Sequence, residues 1–237
     1  MFVKICGITT EADALLAVGL GADAIGFIFA PSPRQVSAQA VRRITERVPP
    51  EILTVGVFRN EAPARVVEIV NSIGLRAAQL HGEETVEQTR WVAERVPLTI
   101  RAFPAGDPAI GRIDEYGATY VLVDAESPGS GEVFDWRLAE GVVDPARLIV
   151  SGGLRPENVA DAVTHLRPFG VDVDSGVESA PGRKDPVKLR AFVAAARAAA
   201  GEDPGSNAFG TDAFDPDDPE ASASSGEVPF DWREEGG

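Results

Sequence analysis

Short apolar runs alternate with helix-like segments from the first residues to about residue 200. Strands that alternate with helices in this way are typical of βαβ units in a parallel sheet, and eight such units close into a (β/α)8 TIM barrel. The alternative is an open doubly wound sheet. However, the first run is followed by Cys6-Gly7-Ile8-Thr9 rather than by a glycine-rich dinucleotide fingerprint. We therefore predict an α/β barrel with strands at residues 3–8, 24–29, 53–58, 77–80, 98–103, 120–123, 148–150 and 171–173.

The segments between these strands predict the outer helices. They span residues 11–18, 37–48, 64–73, 84–95, 156–166 and 185–199, with weaker patterns near 108–116 and from about residue 135. The first helix is preceded by threonines and carries acidic residues in its first turn, as helix starts often do.

The last part of the chain has a different composition. Residues 201–237 are rich in Pro, Gly, Ser and acidic residues and have no periodicity, so we predict a barrel domain at 1–200 and a disordered acidic tail at 201–237. Residues 225–233 repeat residues 130–137 with one inserted proline. Either this is a duplication without function, or the tail competes for the groove of the loop after strand six.

The net charge of −15 lies mostly in the tail, which has eleven acidic residues and one arginine. Such an acidic chain has no footprint for nucleic acid or for an anionic membrane surface. Only three of the 22 Lys and Arg residues are lysines. An acidic surface poor in lysine fits adaptation to high salt, and a GC-rich coding bias explains it equally well.

Several further features limit the class of protein. No 18-residue apolar run and no signal peptide are visible, and a single cysteine cannot form an internal disulfide, so we expect a cytoplasmic protein. Two histidines and one cysteine, far apart in the sequence, offer no structural zinc site. Sequence alone leaves a monomer or a homodimer open.

In a barrel of this type the active site lies at the C-terminal ends of the strands. Residues at or just after these ends are Cys6, Arg34, His81, Arg101, Asp124, Gly152, Gly153 and Asp172 to Gly176. Each has a structural alternative. Cys6 can be a small core residue, or a thiolate whose pKa is lowered by a helix N-terminus. Asp124 ends an apolar run, where a carboxylate is costly unless it is solvated, paired or used, so a site role is favoured.

The glycine-rich strand ends predict a phosphate cradle. Gly152 and Gly153 follow strand seven, and Ser175 and Gly176 follow strand eight, where backbone N–H groups bind phosphate in many barrels. Gly131 lies in a long loop after strand six that can close over a ligand or serve as a connector. Arg34 can pair with a substrate carboxylate or be solvated. His81 can line the site or cap a helix.

Several of these residues belong to ordered motifs that resemble the phosphoribosylanthranilate isomerase family. The motifs cover residues 2–200 and comprise Lys-Ile-Cys-Gly-Ile-Thr at 4–9, Gly-Phe-Ile-Phe at 26–29, Ser-Pro-Arg at 32–34, Gln-Leu-His-Gly at 79–82, Leu-Val-Asp at 122–124, Gly131 with Phe-Asp-Trp at 134–136, Ser-Gly-Gly-Leu at 151–154, Val-Asp-Val at 171–173, Ser-Gly-Val-Glu at 175–178, Pro-Gly at 181–182 and Lys-Asp at 184–185.

The resemblance implies an Amadori rearrangement of N-(5-phosphoribosyl)anthranilate in tryptophan biosynthesis, without a metal or redox cofactor. It implies Asp124 as general acid and Cys6 as general base. It further implies that Arg34 holds the anthranilate carboxylate, that Asp172 meets the amino group, and that His81 lines the site. Gly131, Gly152, Gly153, Ser175 and Gly176 are the implied phosphate-binding residues.

Two rival functions remain at this stage. One is a related phosphosugar isomerase of histidine biosynthesis, which typically uses two aspartates, so Cys6 argues against it. The other is a silent barrel that binds a partner enzyme.

One residue departs from the family pattern. The position before Ser175 is often small or neutral in the family, whereas this chain has Asp174. A carboxylate here should repel a bound phosphate unless it turns away or is offset by Arg183 or Lys184.

Overall fold

Eight parallel strands form a closed barrel in which each strand pairs with the next and the last pairs with the first. This computed structural model describes residues 1–125, 136–139, 141 and 144–201. The strands are β1 Phe2–Ile5, β2 Ala24–Ile28, β3 Leu53–Phe58, β4 Ala77–Leu80, β5 Thr99–Pro104, β6 Tyr120–Asp124, β7 Leu148–Val150 and β8 Gly170–Val173. The predicted (β/α)8 barrel is confirmed. The predicted acidic tail beyond residue 201 and its repeat of residues 130–137 lie outside the described residues.

Several of the helices begin after a residue whose side chain caps the first turn. Thr10 accepts a hydrogen bond from the N–H of Asp13, Thr85 and Gln88 form a capping box, and Asp185 caps the last helix. The helices are α1 Glu11–Gly19, α2 Ala38–Thr45, α3 Pro63–Ile73, α4 Val86–Ala93, α5 Ile113–Tyr116, α6 Val159–Leu166 and α7 Pro186–Ala199. None of these helices is long and apolar enough to cross a membrane, a finding that covers the described residues only.

The observed elements differ from the predicted ones in a few places. α6 begins at Val159 and not at residue 156, because the Asn158 side chain accepts from the N–H of Arg155 at 2.8 Å and donates to the carbonyl of Gly153 at 3.0 Å. Such local bonds compete with helix formation. In place of the helix predicted from about residue 135, the described residues show a 3-10 turn at Trp136–Ala139. A two-stranded antiparallel ribbon, β9 Glu178–Ala180 and β10 Arg183–Lys184, was not predicted.

Within the barrel, the interior changes from apolar to polar along the strands. Lys4, Gln79 and Asp172 are buried in the strands with at most 4% exposure. Burying such groups costs free energy unless they are paired, so this end of the barrel depends on specific polar contacts. Near the strand starts the interior is filled by a separate apolar cluster of Phe2, Ala24, Leu53, Val55, Ala77, Ile100, Ala102, Leu122 and Ile149.

A buried ion pair ties the last helix to the start of the barrel. Arg197 of α7 is 2% exposed, and its Nη2 lies 3.0 Å from Asp23 Oδ2 and 2.7 Å from the carbonyl of Gly21. Asp23 Oδ2 also accepts the N–H of Val3 at 2.8 Å. One guanidinium therefore joins α7, β1 and the turn before β2.

We expect Arg197→Met to lower the free energy of unfolding by about 3–5 kcal/mol, because it leaves the Asp23 carboxylate buried without its cation. Urea denaturation followed by circular dichroism measures this loss. Arg65→Met is the control, since Arg65 forms an exposed pair with Glu68 on α3. An equally small loss in both variants would contradict the clamping role of Arg197.

Candidate active site

The C-terminal ends of the strands enclose a cavity of about 420 Å³. Its lining includes nine of the ten residues to which the family resemblance assigns a role: Cys6, Arg34, His81, Asp124, Gly152, Gly153, Asp172, Ser175 and Gly176. The tenth, Gly131, lies outside the described residues. Their convergence follows from the barrel, because parallel strands bring all their carboxyl ends to one face.

Arg101 was expected at the site but does not line the cavity. It is 4% exposed, and its guanidinium donates to the carbonyls of Leu80 and Gly82 at 3.0 Å and lies 3.3 Å from the Glu84 carboxylate. Glu84 in turn accepts the N–H groups of Asn60 and Gly82. Arg101 thus supports the loop that carries His81 and does not reach a ligand.

Cys6 follows the end of β1, and its N–H donates to the carbonyl of Val173 at 2.8 Å. The lowered pKa, one of the two alternatives that the sequence left open for Cys6, is wrong. Burial raises the pKa of the Cys6 thiol to about 12, although the ammonium of Lys4 acts against this rise. The helix that was expected to stabilise a thiolate begins only at Glu11, capped by Thr10. At neutral pH the resting side chain is therefore a thiol.

Lys4 is a site residue that the sequence reasoning missed. It is fully buried, and its Nζ lies 2.9 Å from Asp172 Oδ1. Burial lowers the pKa of Lys4, but the Asp172 carboxylate and the Cys6 side chain together outweigh this effect and hold the pKa above its usual value. The signal was present in the sequence, because a lysine within an apolar strand, two positions before Cys6, must point to the same face as the thiol.

Asp124 ends β6 and is 5% exposed. Its Oδ1 accepts the N–H of Ala125 at 2.7 Å, and its Oδ2 lies 3.2 Å from His81 Nε2, an ionic contact without hydrogen-bond alignment. The Gln79 amide nitrogen lies 3.1 Å from His81 Nδ1. Donation from this amide places the imidazole proton on Nε2, facing Asp124. At Gly152, with φ of +82°, a Cβ would lie 2.8 Å from Asp124 Oδ1, so only glycine lets β7 approach the acid this closely.

Four charged residues form a network at the rim of the cavity. Arg34 binds the Glu178 carboxylate through two hydrogen bonds of 2.9 and 2.7 Å, and its Nε lies 3.0 Å from Asp174 Oδ1. Lys184 Nζ lies 3.1 Å from both Asp174 Oδ1 and Glu178 Oε1. The side chains of Arg34 and Asp174 occupy the space beside Gly7, whose φ is +70°.

This network shows how the negative charge of Asp174 is compensated. Its carboxylate is offset by Lys184, one of the two expected residues, and additionally by Arg34, whereas Arg183 is exposed. Burial still raises the pKa of Asp174 above its ordinary value. For Glu178, burial acts to raise the pKa, but Arg34 and Lys184 together outweigh this effect, so the pKa of Glu178 is lowered.

Backbone amides also line the cavity, next to Asp174 and after β7. The N–H groups of Gly153, Ser175 and Gly176 donate to no other group among the residues that the structure describes. Unpaired amides that face a cavity are suited to phosphate oxygens. Within the same described ranges, no group of three His, Cys, Asp or Glu residues is arranged to hold a metal ion.

The raised pKa of Cys6 predicts a loss of stability at alkaline pH. The unfolded thiol ionises near its ordinary pKa of 9.0, whereas the folded thiol keeps its proton up to about pH 12. The stabilisation is therefore complete below pH 9.0 and is lost as the pH rises toward 12. Urea denaturation from pH 7 to pH 11 should show wild type losing stability relative to Cys6→Ser only above about pH 9. A difference between the two proteins that is independent of pH would contradict the shift.

Comparison with known proteins assigns the chain to the same family that its sequence motifs resemble. The family model described as N-(5'-phosphoribosyl)anthranilate (PRA) isomerase matches residues 3–195. A curated relative, the N-(5'-phosphoribosyl)anthranilate isomerase of Desulforudis audaxviator, is 46% identical over 204 residues, which cover 83% of this chain and 98% of the relative.

Solved structures agree with this. The crystal structure of phosphoribosyl anthranilate isomerase from Thermus thermophilus is 44% identical with a TM-score of 0.77, covering 82% of this chain and 98% of that one. Another such isomerase is 42% identical with a TM-score of 0.74, covering 84% of this chain and 99% of that one. That protein was crystallised in complex with reduced 1-(o-carboxyphenylamino)-1-deoxyribulose 5-phosphate. The chain thus belongs to the phosphoribosylanthranilate isomerase family.

Proposed function

We propose that Cys6 and Asp124 are the general base and general acid of the isomerisation that the family performs in tryptophan biosynthesis. The observation that carries the proposal is that both side chains line one cavity, with an amide-lined end and an arginine at its rim. The substrate is a sugar phosphate joined to an aromatic carboxylate. Its phosphate suits the backbone amides, and its carboxylate suits the arginine.

The reaction requires an acid and a base in separate steps. The acid protonates the ribose ring oxygen and opens the ring to a Schiff base, and the base then removes the C2 proton to give an enolamine that tautomerises to the ketone. Asp124 suits the first step because its carboxyl group lines the cavity and can pass a proton directly to a bound substrate. The imidazole lines the site next to the acid and steadies the carboxyl group.

Cys6 suits the second step only after it loses its proton. Burial and the carboxylates of Asp172 and Asp174 oppose this loss, whereas Lys4 and Lys184 favour it. A buried thiolate is a stronger base than one in water, because burial raises its pKa in the folded protein. The chemistry thus needs a cation close to the sulfur.

Binding is assigned to the remaining residues that line the cavity. Arg34 Nη1 makes no hydrogen bond within the described ranges, so it can hold the anthranilate carboxylate while Nε and Nη2 stay on Glu178. Asp172 accepts the amino N–H of the substrate. The phosphate is assigned to the backbone N–H groups of Gly152, Gly153, Ser175 and Gly176, with Gly131 as a further phosphate-binding residue outside the described ranges. Lys184 compensates the charge of Asp174 at this end.

Turnover of freshly prepared N-(5-phosphoribosyl)anthranilate, followed by the loss of its anthranilate fluorescence, tests the proposal. We expect wild type to be active, and Cys6→Ser and Asp124→Asn to lower kcat by about 10²-fold or more each, because each removes one proton-transfer group. Arg65→Met, at the exposed surface of α3, serves as the control with unchanged kcat. An inactive wild type would overturn the proposed function, and an active Cys6→Ser variant would overturn the role of the thiol.

Other predictions from the sequence are carried forward as proposals. These are a catalytic domain at residues 1–200, an acidic tail at 201–237, a monomer or a homodimer, and adaptation to high salt. Assays at low and at molar salt address the last of them, because salt screens the repulsion within an acidic chain.

A further inference from the structure

Lys4 and Cys6 share one face of the first strand. They are two positions apart, so both side chains point into the barrel, where Lys4 is fully buried and Cys6 is 5% exposed. The register between β1 and β8 sets Asp172 directly beside Lys4, with 2.9 Å between Oδ1 and Nζ. The ammonium therefore has a carboxylate on the neighbouring strand and the thiol on its own strand.

Gly26 on β2 has no side chain, and the space that this leaves is bordered by the Cys6 thiol and the Lys4 ammonium. A Cβ at this position would lie 2.9 Å from Cys6 Sγ and 3.1 Å from Lys4 Nζ. Both atoms thus border the volume that a side chain on β2 would otherwise fill. The Cys6 side chain acts on the Lys4 ammonium electrostatically and raises the pKa of Lys4.

We propose that Lys4 is a positioning residue whose ammonium is the counter-ion of the Cys6 thiolate, and that Asp172 competes with the thiolate for it. This inference rests on the proposed role of Cys6 as base. Ionisation releases the thiol proton to water in the cavity that Cys6 lines. The thiolate then takes the C2 proton of the substrate, and Lys4 keeps its own proton throughout.

The charges around the sulfur are nearly balanced without this lysine. Asp172 and Asp174 disfavour the thiolate, whereas Lys184 and Lys4 favour it, and Arg34 lies close enough to interact with it as well. Lys184 is already held by Asp174 and Glu178, and Arg34 by the same two carboxylates. Lys4 is the largest single influence that favours the ionised sulfur.

The choice of lysine at this position fits its role. Nineteen of the 22 cationic residues in the chain are arginines. Lys4 is fully buried and Lys184 is 3% exposed, and both lie at the catalytic end of the barrel. A compact ammonium fits between two adjacent strands and can face a carboxylate and a sulfur together, whereas a planar guanidinium is built for bidentate pairing.

Substrate binding and base activation are coupled in this arrangement. When the substrate amino group donates a hydrogen bond to Asp172, the carboxylate shares its negative charge between two donors. Its hold on Lys4 then weakens, and the ammonium acts more strongly on the sulfur. The thiolate is thereby favoured when a substrate is present to use it.

The reactivity of the single cysteine tests this inference without any turnover. Only the thiolate reacts with iodoacetamide, so the alkylation rate at a fixed pH changes about tenfold for each unit of change in the thiol pKa. At pH 8 we expect Lys4→Met to react about tenfold more slowly than wild type, or slower still, and Asp172→Asn to react about tenfold faster. Lys188→Met, which removes the same charge from a lysine bonded to the carbonyl of Glu178, should stay within about twofold.

Opposite changes in Lys4→Met and Asp172→Asn support the inference, because a purely structural role predicts faster alkylation in both. A Lys4→Met rate equal to or above that of wild type, in protein with a native near-UV circular dichroism spectrum, overturns it. If Lys4→Met does not fold, Asp172→Asn decides alone, and an unchanged or slower rate overturns the inference. Failure of the isomerase assay with opposite alkylation changes would overturn the proposed function and leave the role of Lys4 standing.

Discussion

The buried ion pair between Lys4 and Asp172 is the contact on which the catalytic end of the barrel depends. The two residues are 168 positions apart, and they meet where β8 closes the barrel against β1. A charge in the barrel interior is tolerated only with such a partner. The strand pair that closes the sheet therefore also places the Lys4 ammonium on the face of β1 that carries Cys6.

Two further clusters of paired charges lie at this end of the barrel. Arg101 and Glu84 hold the loop that carries His81, and Lys184 with Arg34 neutralises Asp174 and Glu178. These contacts are buried or half-buried, so they keep their strength in salt better than the exposed pairs on the helices. The site is thus built from paired charges within the fold, while the acidic excess of the chain lies mostly in residues 201–237.

Local patterns in the sequence predicted the strands and the strand-end residues well, because both depend on short stretches of chain. The runs at residues 53–58, 77–80 and 148–150 coincide with β3, β4 and β7. The state of Cys6 was predicted wrongly, because its pKa depends on burial and on groups of β8 that no local pattern reveals. The start of α6 was misplaced for a similar reason, as the side chain of Asn158 stabilises a turn in place of a helix. Arg101, which was expected at a strand end, lies within β5, and its side chain donates to the loop after β4.

The most direct test of the account is a crystal structure of this protein with reduced 1-(o-carboxyphenylamino)-1-deoxyribulose 5-phosphate, the compound bound in a related isomerase. We predict the phosphate on the amides of Gly153, Ser175 and Gly176, the amino nitrogen at Asp172, and the reacting carbons within about 3–3.5 Å of Cys6 Sγ. The Lys4 ammonium should remain between Asp172 and the sulfur. A ligand bound in the reverse orientation, or with its reacting carbons away from Cys6 and Asp124, would contradict the account.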